Sequence, residues 1–334
     1  MSTQEPVSTQ ETVSTQETVS TQAVIGVDLG GTKCSAVLAD GSGRIVHRVH
    51  RGSDALPDPV DVLLGVIADL RAAAADHRLE VRAVAIGMPA FIDPVSGLVV
   101  GGWNLGWQGF DLRAHLDAVI PEPYSVENDV NLAALGEARV GAGVGASSFV
   151  TVSLGTGLGG AVVVDGTLLR GRHGAAAELG FLMADRGQLR RPGLMGMESR
   201  VGGRWIAARA QELAAGDPAS ELASGTADAA AVFAAAGRGD RVAEQVVAEL
   251  LDHVAMTIID VTAVLDPERV VLDGSIGRAL EPYLPSLVAL VEPSVLYPPE
   301  IRISSLAPTA VLAGAVAEAW RVARAAAHPG DPGA

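Results

Sequence analysis

Sulfur chemistry is nearly absent from this chain: 334 residues hold one cysteine, Cys34. A lone thiol excludes a disulfide framework and any zinc site built from cysteines. Aromatic residues are scarce at 4%, and no apolar run is long enough to span a membrane. Positive charge is short as well. Against 39 Asp+Glu stand 24 Lys+Arg, a net charge of −15, which argues against nucleic acid or an anionic membrane as partner. The first residues lack the basic and apolar regions of a secretory signal, so a cytoplasmic protein is expected. Lysine occurs once, at Lys33; every other basic residue is arginine. A compact ammonium kept at that one place points to phosphate nearby. A GxxxxGK[ST] phosphate loop is also missing.

What the chain does have is a stretch written twice. Ala23–Gly41, AVIGVDLGGTKCSAVLADG, moved forward by 125 residues lies over Ser148–Gly166, SFVTVSLGTGLGGAVVVDG, without a gap. Val27/Val152, Leu29/Leu154, Gly30/Gly155, Ala36/Ala161, Val37/Val162, Asp40/Asp165 and Gly41/Gly166 coincide. Each copy reads as an apolar strand, a glycine turn, a second apolar strand and an Asp-Gly turn. One unit repeated at so long a spacing means two related domains rather than a solenoid. Glycines at a hairpin tip let backbone N–H groups converge into an anion-binding concavity. Two such tips facing each other would clasp a polyphosphate. Gly155–Gly160 is not a dinucleotide fingerprint, because it joins two strands instead of opening a helix.

Around the repeat, residues 2–22 are a polar hexamer array, STQEPV-STQETV-STQETV-STQ, too poor in apolar surface to fold and expected to be a disordered tail. Strand patterns fall at Ile45–His50, Val81–Ile86, Tyr124–Val126 and Val270–Leu272. Helical spacing runs through Asp58–His77, Leu132–Arg139, Val201–Ala215, Asp228–Gly237, Arg241–Val264 and Ala310–Ala326. Gly101–Phe110 carries two of the four tryptophans in a glycine-rich loop, with Asn104 able to offer an amide to sugar hydroxyls. Glu127-Asn128-Asp129-Val130-Asn131 sets four polar side chains at a strand–helix junction, more than one helix cap requires. Glu178 stands in a small, apolar setting (GRHGAAAELG), as a buried or substrate-binding carboxylate would. His173 in the same run reads as structural.

Two phosphate hairpins and a carboxylate between the duplicated halves make a phosphoryl-transfer site, in which catalysis is mostly positioning and charge neutralisation with Mg²⁺. Asp129 would take the proton of an attacking hydroxyl. Asp28 would hold magnesium directly or through water. The backbone of Gly155–Gly157 and the Thr156 hydroxyl would hold phosphate oxygens, and an adenosine would lie along Gly274–Gly277.

These motifs resemble the ROK family of sugar kinases and repressors, in the actin-like class of two-domain ATPases. The likeness covers about residues 23–325 and rests on VDLGGTK (27–33), NLGW (104–107), ENDVN (127–131), LGTGLGGAVVVDG (154–166), HGAAAELG (173–180) and VVLDGSIG (270–277). It implies two ribonuclease H-like α/β domains with a cleft between them: 23–126 plus 309–326, and 127–308, followed by a flexible 327–334. It further implies Asp129 as general base, and sugar hydroxyls held by Asn104, Asn128, Asp129, Glu178 and Glu198. The triphosphate would lie along Asp28, Gly30, Gly31, Thr32, Lys33, Gly155, Thr156, Gly157 and Gly274. ATP and Mg²⁺ are the expected cofactors, a sugar the substrate and a homodimer the assembly. One departure is plain. Relatives follow their ELG with a histidine and a cysteine-rich zinc loop; here Phe181 and Leu189–Glu198, LRRPGLMGME, replace them. No structural zinc is expected, and the identity of the sugar is open: a hexose such as glucose, the amino sugar kanosamine, an N-acetylhexosamine or a C7-cyclitol. Polyphosphate as donor is open too. A sugar-sensing repressor is disfavoured, since 22 Ser/Thr/Gln-rich residues supply no DNA-binding domain, and a non-catalytic sugar-binding regulator is disfavoured by the presence of Asp129.

Overall fold

The computed structural model describes residues 21–31, 33–52, 59–93, 96–101, 106–190, 196–225, 227–306 and 308–329. The first half runs β1 (Gln22–Leu29), β2 (Lys33–Asp40), β3 (Ile45–Gly52), α1 (Pro59–Asp76), β4 (Glu80–Met88), α2 (Leu112–Asp117), β5 (Tyr124–Asn128) and α3 (Asp129–Val140). The second runs β6 (Ser148–Leu154), β7 (Leu158–Val164), β8 (Thr167–Leu168), α4 (Glu198–Val201), α5 (Gly203–Ala214), α6 (Ala229–Ala236), α7 (Arg241–Leu265), β9 (Arg269–Asp273), α8 (Gly274–Ala279), α9 (Leu284–Val291), β10 (Glu300–Ile303) and α10 (Ala310–Ala327).

These strands form two five-stranded sheets ordered β3-β2-β1-β4-β5 and β8-β7-β6-β9-β10. The orders are the same topology twice, so the duplication extends from the hairpins to whole sheets. In each, an antiparallel hairpin is followed by parallel strands, whose crossovers require helices on the faces. The pairing corrects one detail of the repeat. Leu29 pairs with Cys34, but Leu154 pairs with Leu158. The second glycine tip is therefore one residue shorter, and every β7 pairing is displaced by one from what the gapless overlay implies. Gly30 N–H closes the longer tip on Lys33 O (2.8 Å), and Gly155 N–H closes the shorter one on Gly157 O (3.1 Å). Further on, Asp165 and Gly166 both take positive φ and join β7 to β8 in two residues, as an Asp-Gly hairpin turn does.

The first sheet is buried on both faces. Helix α1 covers one with Leu63, Ile67 and Leu70, and α10 covers the other with Ala315, Ala319 and Ala323. The second sheet packs α4–α9 on one face. Helix α3 takes the opposite face, with Ala134 buried there beside Phe149 and Val163, while Leu132 of the same helix joins the α10 cluster. One helix thus belongs to the cores of both halves. It packs on α10 with the two backbones close together. A Cβ on Gly314 would overlap the Leu132 carbonyl oxygen, and a Cβ on Gly136 would overlap that of Ala310.

Because α3 begins at Asp129, this contact also sets the position of the candidate base. Gly314→Val is expected to destabilise the protein by about 1–3 kcal/mol and to lower turnover with it, read as a reduced melting temperature and a reduced kcat in the same preparation.

Candidate active site

The polar junction before α3 resolves into distinct jobs. Val130 N–H donates to Asn128 Oδ1 (2.9 Å) and to Asp129 Oδ1 (2.9 Å), and Asn128 is the N-cap. Capping therefore accounts for one oxygen of Asn128 and leaves Asp129, half-buried, as the acid at the helix start. Glu127 turns away to Arg170 Nε (2.5 Å) and to Asn131 Nδ2 (3.3 Å). Arg170 also reaches Glu318 of α10 (3.2 Å), which is 1% exposed and held by Arg321 (2.8 Å). This network between the two halves is invisible in the sequence, where its members lie up to 194 positions apart, between Glu127 and Arg321.

Asp129 sits among acids. Burial and the neighbouring charges of Asp28 and Asp273 push its carboxyl up to about 6. Asp28, at the end of β1, is raised by burial against the opposing pull of Lys33. Glu178 is pushed up to about 7 by burial, then by Asp129 and Glu198. The first turn of α3 touches the second hairpin directly, since a Cβ on Gly159 would meet Val130 Cγ2 at 2.6 Å. Glu198 closes over the shorter tip: its Oε2 accepts from Leu158 N–H (3.1 Å) beside Gly157. Glu198 is thus anchored to the phosphate hairpin and coupled to Glu178 at once. Asp273 ends β9 at 7% exposure, and its Oδ1 has no partner among the described residues. The sequence reading passed over it for the glycines that follow, although a carboxylate closing the buried run Val270–Leu272 was a readable signal.

A cavity of about 420 Å³ opens beside the second tip, lined by Gly155, Thr156, Gly203, Arg204, Asp228 and Ser275. Its size suits a nucleoside. Arg204 and Asp228, from α5 and the cap of α6, had no motif to announce them. Gly274, at φ 83°, presses against the Leu154 carbonyl and so ties the β9 loop to the hairpin. A larger cavity, about 830 Å³, lies along the β5 edge between Ile92, Arg113, Tyr124 and Arg170, and contains none of the candidate residues. Lys33 is exposed at the first tip with Gly30 and Gly31 beside it. Thr32 and Asn104 lie outside the described residues.

Side chains link the described residues on either side of the stretch that replaces the relatives' zinc loop. Arg186–Arg190 is a short 3₁₀ helix. Gln188, buried, accepts from Ala184 N–H (2.8 Å) and donates to Gly196 O (3.2 Å), while Arg200 pairs with Asp185 (3.0 Å). Phe181 is 48% exposed, an apolar ring where a histidine would have offered a hydrogen bond. Residues 191–195 lie outside the described residues. Among the described residues no helix is long and apolar enough to cross a membrane, and no three metal-ligating side chains converge on one point.

Two like halves, each offering a glycine hairpin, with acids gathered between them and a nucleoside-sized cavity beside one tip, define a sugar kinase of the two-domain α/β class. The chain belongs to the ROK family, whose sequence profile matches residues 24–319. It is 31% identical over 318 residues to a glucokinase of Halalkalibacterium halodurans, covering 89% of this chain and 94% of that one. It is 34% identical over 272 residues to an N-acetylmannosamine kinase of Salmonella typhimurium (80% and 87% covered). A ROK glucokinase from Streptomyces griseus, solved with glucose and AMPPNP, superposes with a TM-score of 0.72 at 28% identity, covering 90% of this chain and 99% of that one.

The raised acidity constants have a consequence for stability. Folded Glu178 keeps its proton to about pH 7, above its ordinary 4.5. Its contribution is therefore favourable at low pH, falls as pH rises between those values, and is lost above the upper one. Glu178→Gln should accordingly melt higher than the parent at pH 8, with the gap closing towards pH 5, in thermal melts of the ligand-free protein.

Proposed function

We propose that this ROK sugar kinase transfers the γ-phosphoryl group of ATP to the 6-hydroxyl of a hexose, glucose or a close analogue, with Asp129 as general base. The observation that carries the reading is Asp129 itself, set at the start of the helix shared by both halves and sensing acids from each. With its carboxyl near 6, it is largely ionised at neutral pH yet basic enough to accept a proton, the balance a general base needs. In the step, the sugar oxygen bonds to phosphorus, the bond from phosphorus to the ADP oxygen breaks, and the hydroxyl proton passes to Asp129. Glu178, half-protonated near pH 7, would both donate to and accept from sugar hydroxyls, and the family resemblance adds Asn104 and the amide of Asn128 to that task. Glu198 would couple sugar position to the phosphate tip through Leu158 N–H. Backbone N–H groups of Gly30, Gly31, Gly155 and Gly157, the hydroxyls of Thr32 and Thr156, and the Lys33 ammonium would hold the triphosphate.

A group of enclosed carboxylates suits a hard divalent cation, and Asp28, with the Lys33 charge close by, would hold Mg²⁺ at the first tip. Bound there, the ion would neutralise charge developing on the phosphate oxygens. Gln188 links Ala184 to Gly196 through its own amide, and no cysteine stands between Leu189 and Glu198, which supports a protein without structural zinc; extended dialysis against a strong chelator should leave its melting temperature unchanged. Homodimerisation, as the family resemblance implies, belongs to the same reading and is checked by light scattering.

The N-acetylmannosamine kinase relative keeps an N-acetylhexosamine in view, and the ring of Phe181 in place of a histidine is the specific reason to test beyond glucose, with kanosamine and C7-cyclitols in the panel and polyphosphate as second donor. With the preferred sugar, kcat/KM should rise with pH through an apparent value between 6 and 7, which belongs to the coupled pair Asp129 and Glu178. Asp129→Asn should lower kcat by roughly 10²–10⁴-fold; a variant that phosphorylates as fast as the parent removes Asp129 from the mechanism.

A further inference from the structure

The duplicated sheets allow the two ends of the cleft floor to be compared position by position. In the first half, Asp28 at the end of β1 pairs in parallel register with Gly87 of β4. In the second, Ser153 at the end of β6 pairs in the same way with Asp273 of β9. Ser153 is the repeat's counterpart of Asp28, and Asp273 the counterpart of Gly87. Each half therefore places one carboxylate at this pair of positions, on opposite strands of the pair.

Asp273 does none of the ordinary work of a buried acid. It precedes α8 yet makes no side-chain capping bond. It is 7% exposed, its Oδ1 has no hydrogen-bond partner, and it belongs to none of the ion pairs among the described residues. A buried carboxylate left so is costly unless something outside the chain satisfies it. The backbone just after it runs close to β6, where a Cβ on Gly274 would overlap the Leu154 carbonyl oxygen. Its charge reaches Asp129, as does that of Asp28, so the two acids flank the candidate base from opposite halves.

We propose that Asp273 is a second cation-positioning residue, holding with Asp28 the divalent ion of the metal–nucleotide, directly or through a bound water. Magnesium takes one or two carboxylates and fills its remaining positions with phosphate oxygens and water. That composition agrees with the absence of any three-ligand protein cluster among the described residues. The site is then complete only when the halves come together on a nucleotide. The inference rests on the kinase reading, with Asp28 assigned to the ion there and Asp273 added here.

The test uses Mn²⁺ as probe with the full chain and AMPPNP, following bound Mn²⁺ by electron paramagnetic resonance. Asp273→Asn should weaken Mn²⁺ in the ternary complex roughly 10–100-fold, the range seen when a residue orienting a metal is lost. The same variant should bind metal-free AMPPNP at least as well as the parent, because a repelling charge has been removed. Asp273→Cys should shift preference from Mn²⁺ towards the thiophilic Cd²⁺. Mn²⁺ affinity unchanged within about twofold in Asp273→Asn overturns the inference and leaves the kinase reading intact. So does a parallel loss of metal-bound and metal-free nucleotide, which marks a merely structural role. If the parent itself retains no Mn²⁺ with AMPPNP, the kinase reading fails and takes this inference with it.

Discussion

The contact on which the rest depends is the seating of α3 between the two halves. An isolated helix of 12 residues is marginal in water; this one is made rigid by burial on two sides. Leu132 and the glycine crossing at Gly136 and Gly314 fasten it to the first half, and Ala134 and Val130 fasten it to the second. A residue at its first position inherits that rigidity. Asp129 therefore takes its place relative to both hairpin tips from the helix, and its carboxylate also accepts from Val130 N–H.

Electrostatics follow from the same seating. Bringing Asp28, Asp129, Glu178, Glu198 and Asp273 together with Lys33 as the nearby cation is unfavourable in the empty protein. Much of the surrounding fold offsets that repulsion through two apolar cores, not through surface ion pairs, whose individual worth is small. Under the proposed reaction that repulsion is a cost a divalent cation and hydroxyl donors would each relieve. Stability given up at a site for function in this way is a common arrangement.

The hairpins were legible because their signals are local: strand alternation, glycine, Asp-Gly. Most of the helices were legible from spacing, and Asp129 from an excess of polar groups that one cap could not absorb. What stayed hidden was relational. The one-residue difference between the tips depends on pairing register, which a gapless overlay cannot show. Asp273 looked like punctuation before a glycine loop until its burial and its missing partner were known. Arg204 and Asp228 line a cavity that exists only because α5 and α6 converge on the second tip. Gln188, one residue ahead of the stretch defined by missing cysteines, joins Ala184 to Gly196 through an amide that no motif announced.

The Arg170 guanidinium ties Glu127, on the last strand of the first sheet, to Glu318, on the closing helix, from a loop that belongs to the second sheet. Its planar fork can pivot slightly while keeping both bonds. One guanidinium therefore joins three elements that lie far apart in the chain, and a neutral side chain in its place would strip a counter-charge from two enclosed carboxylates at once.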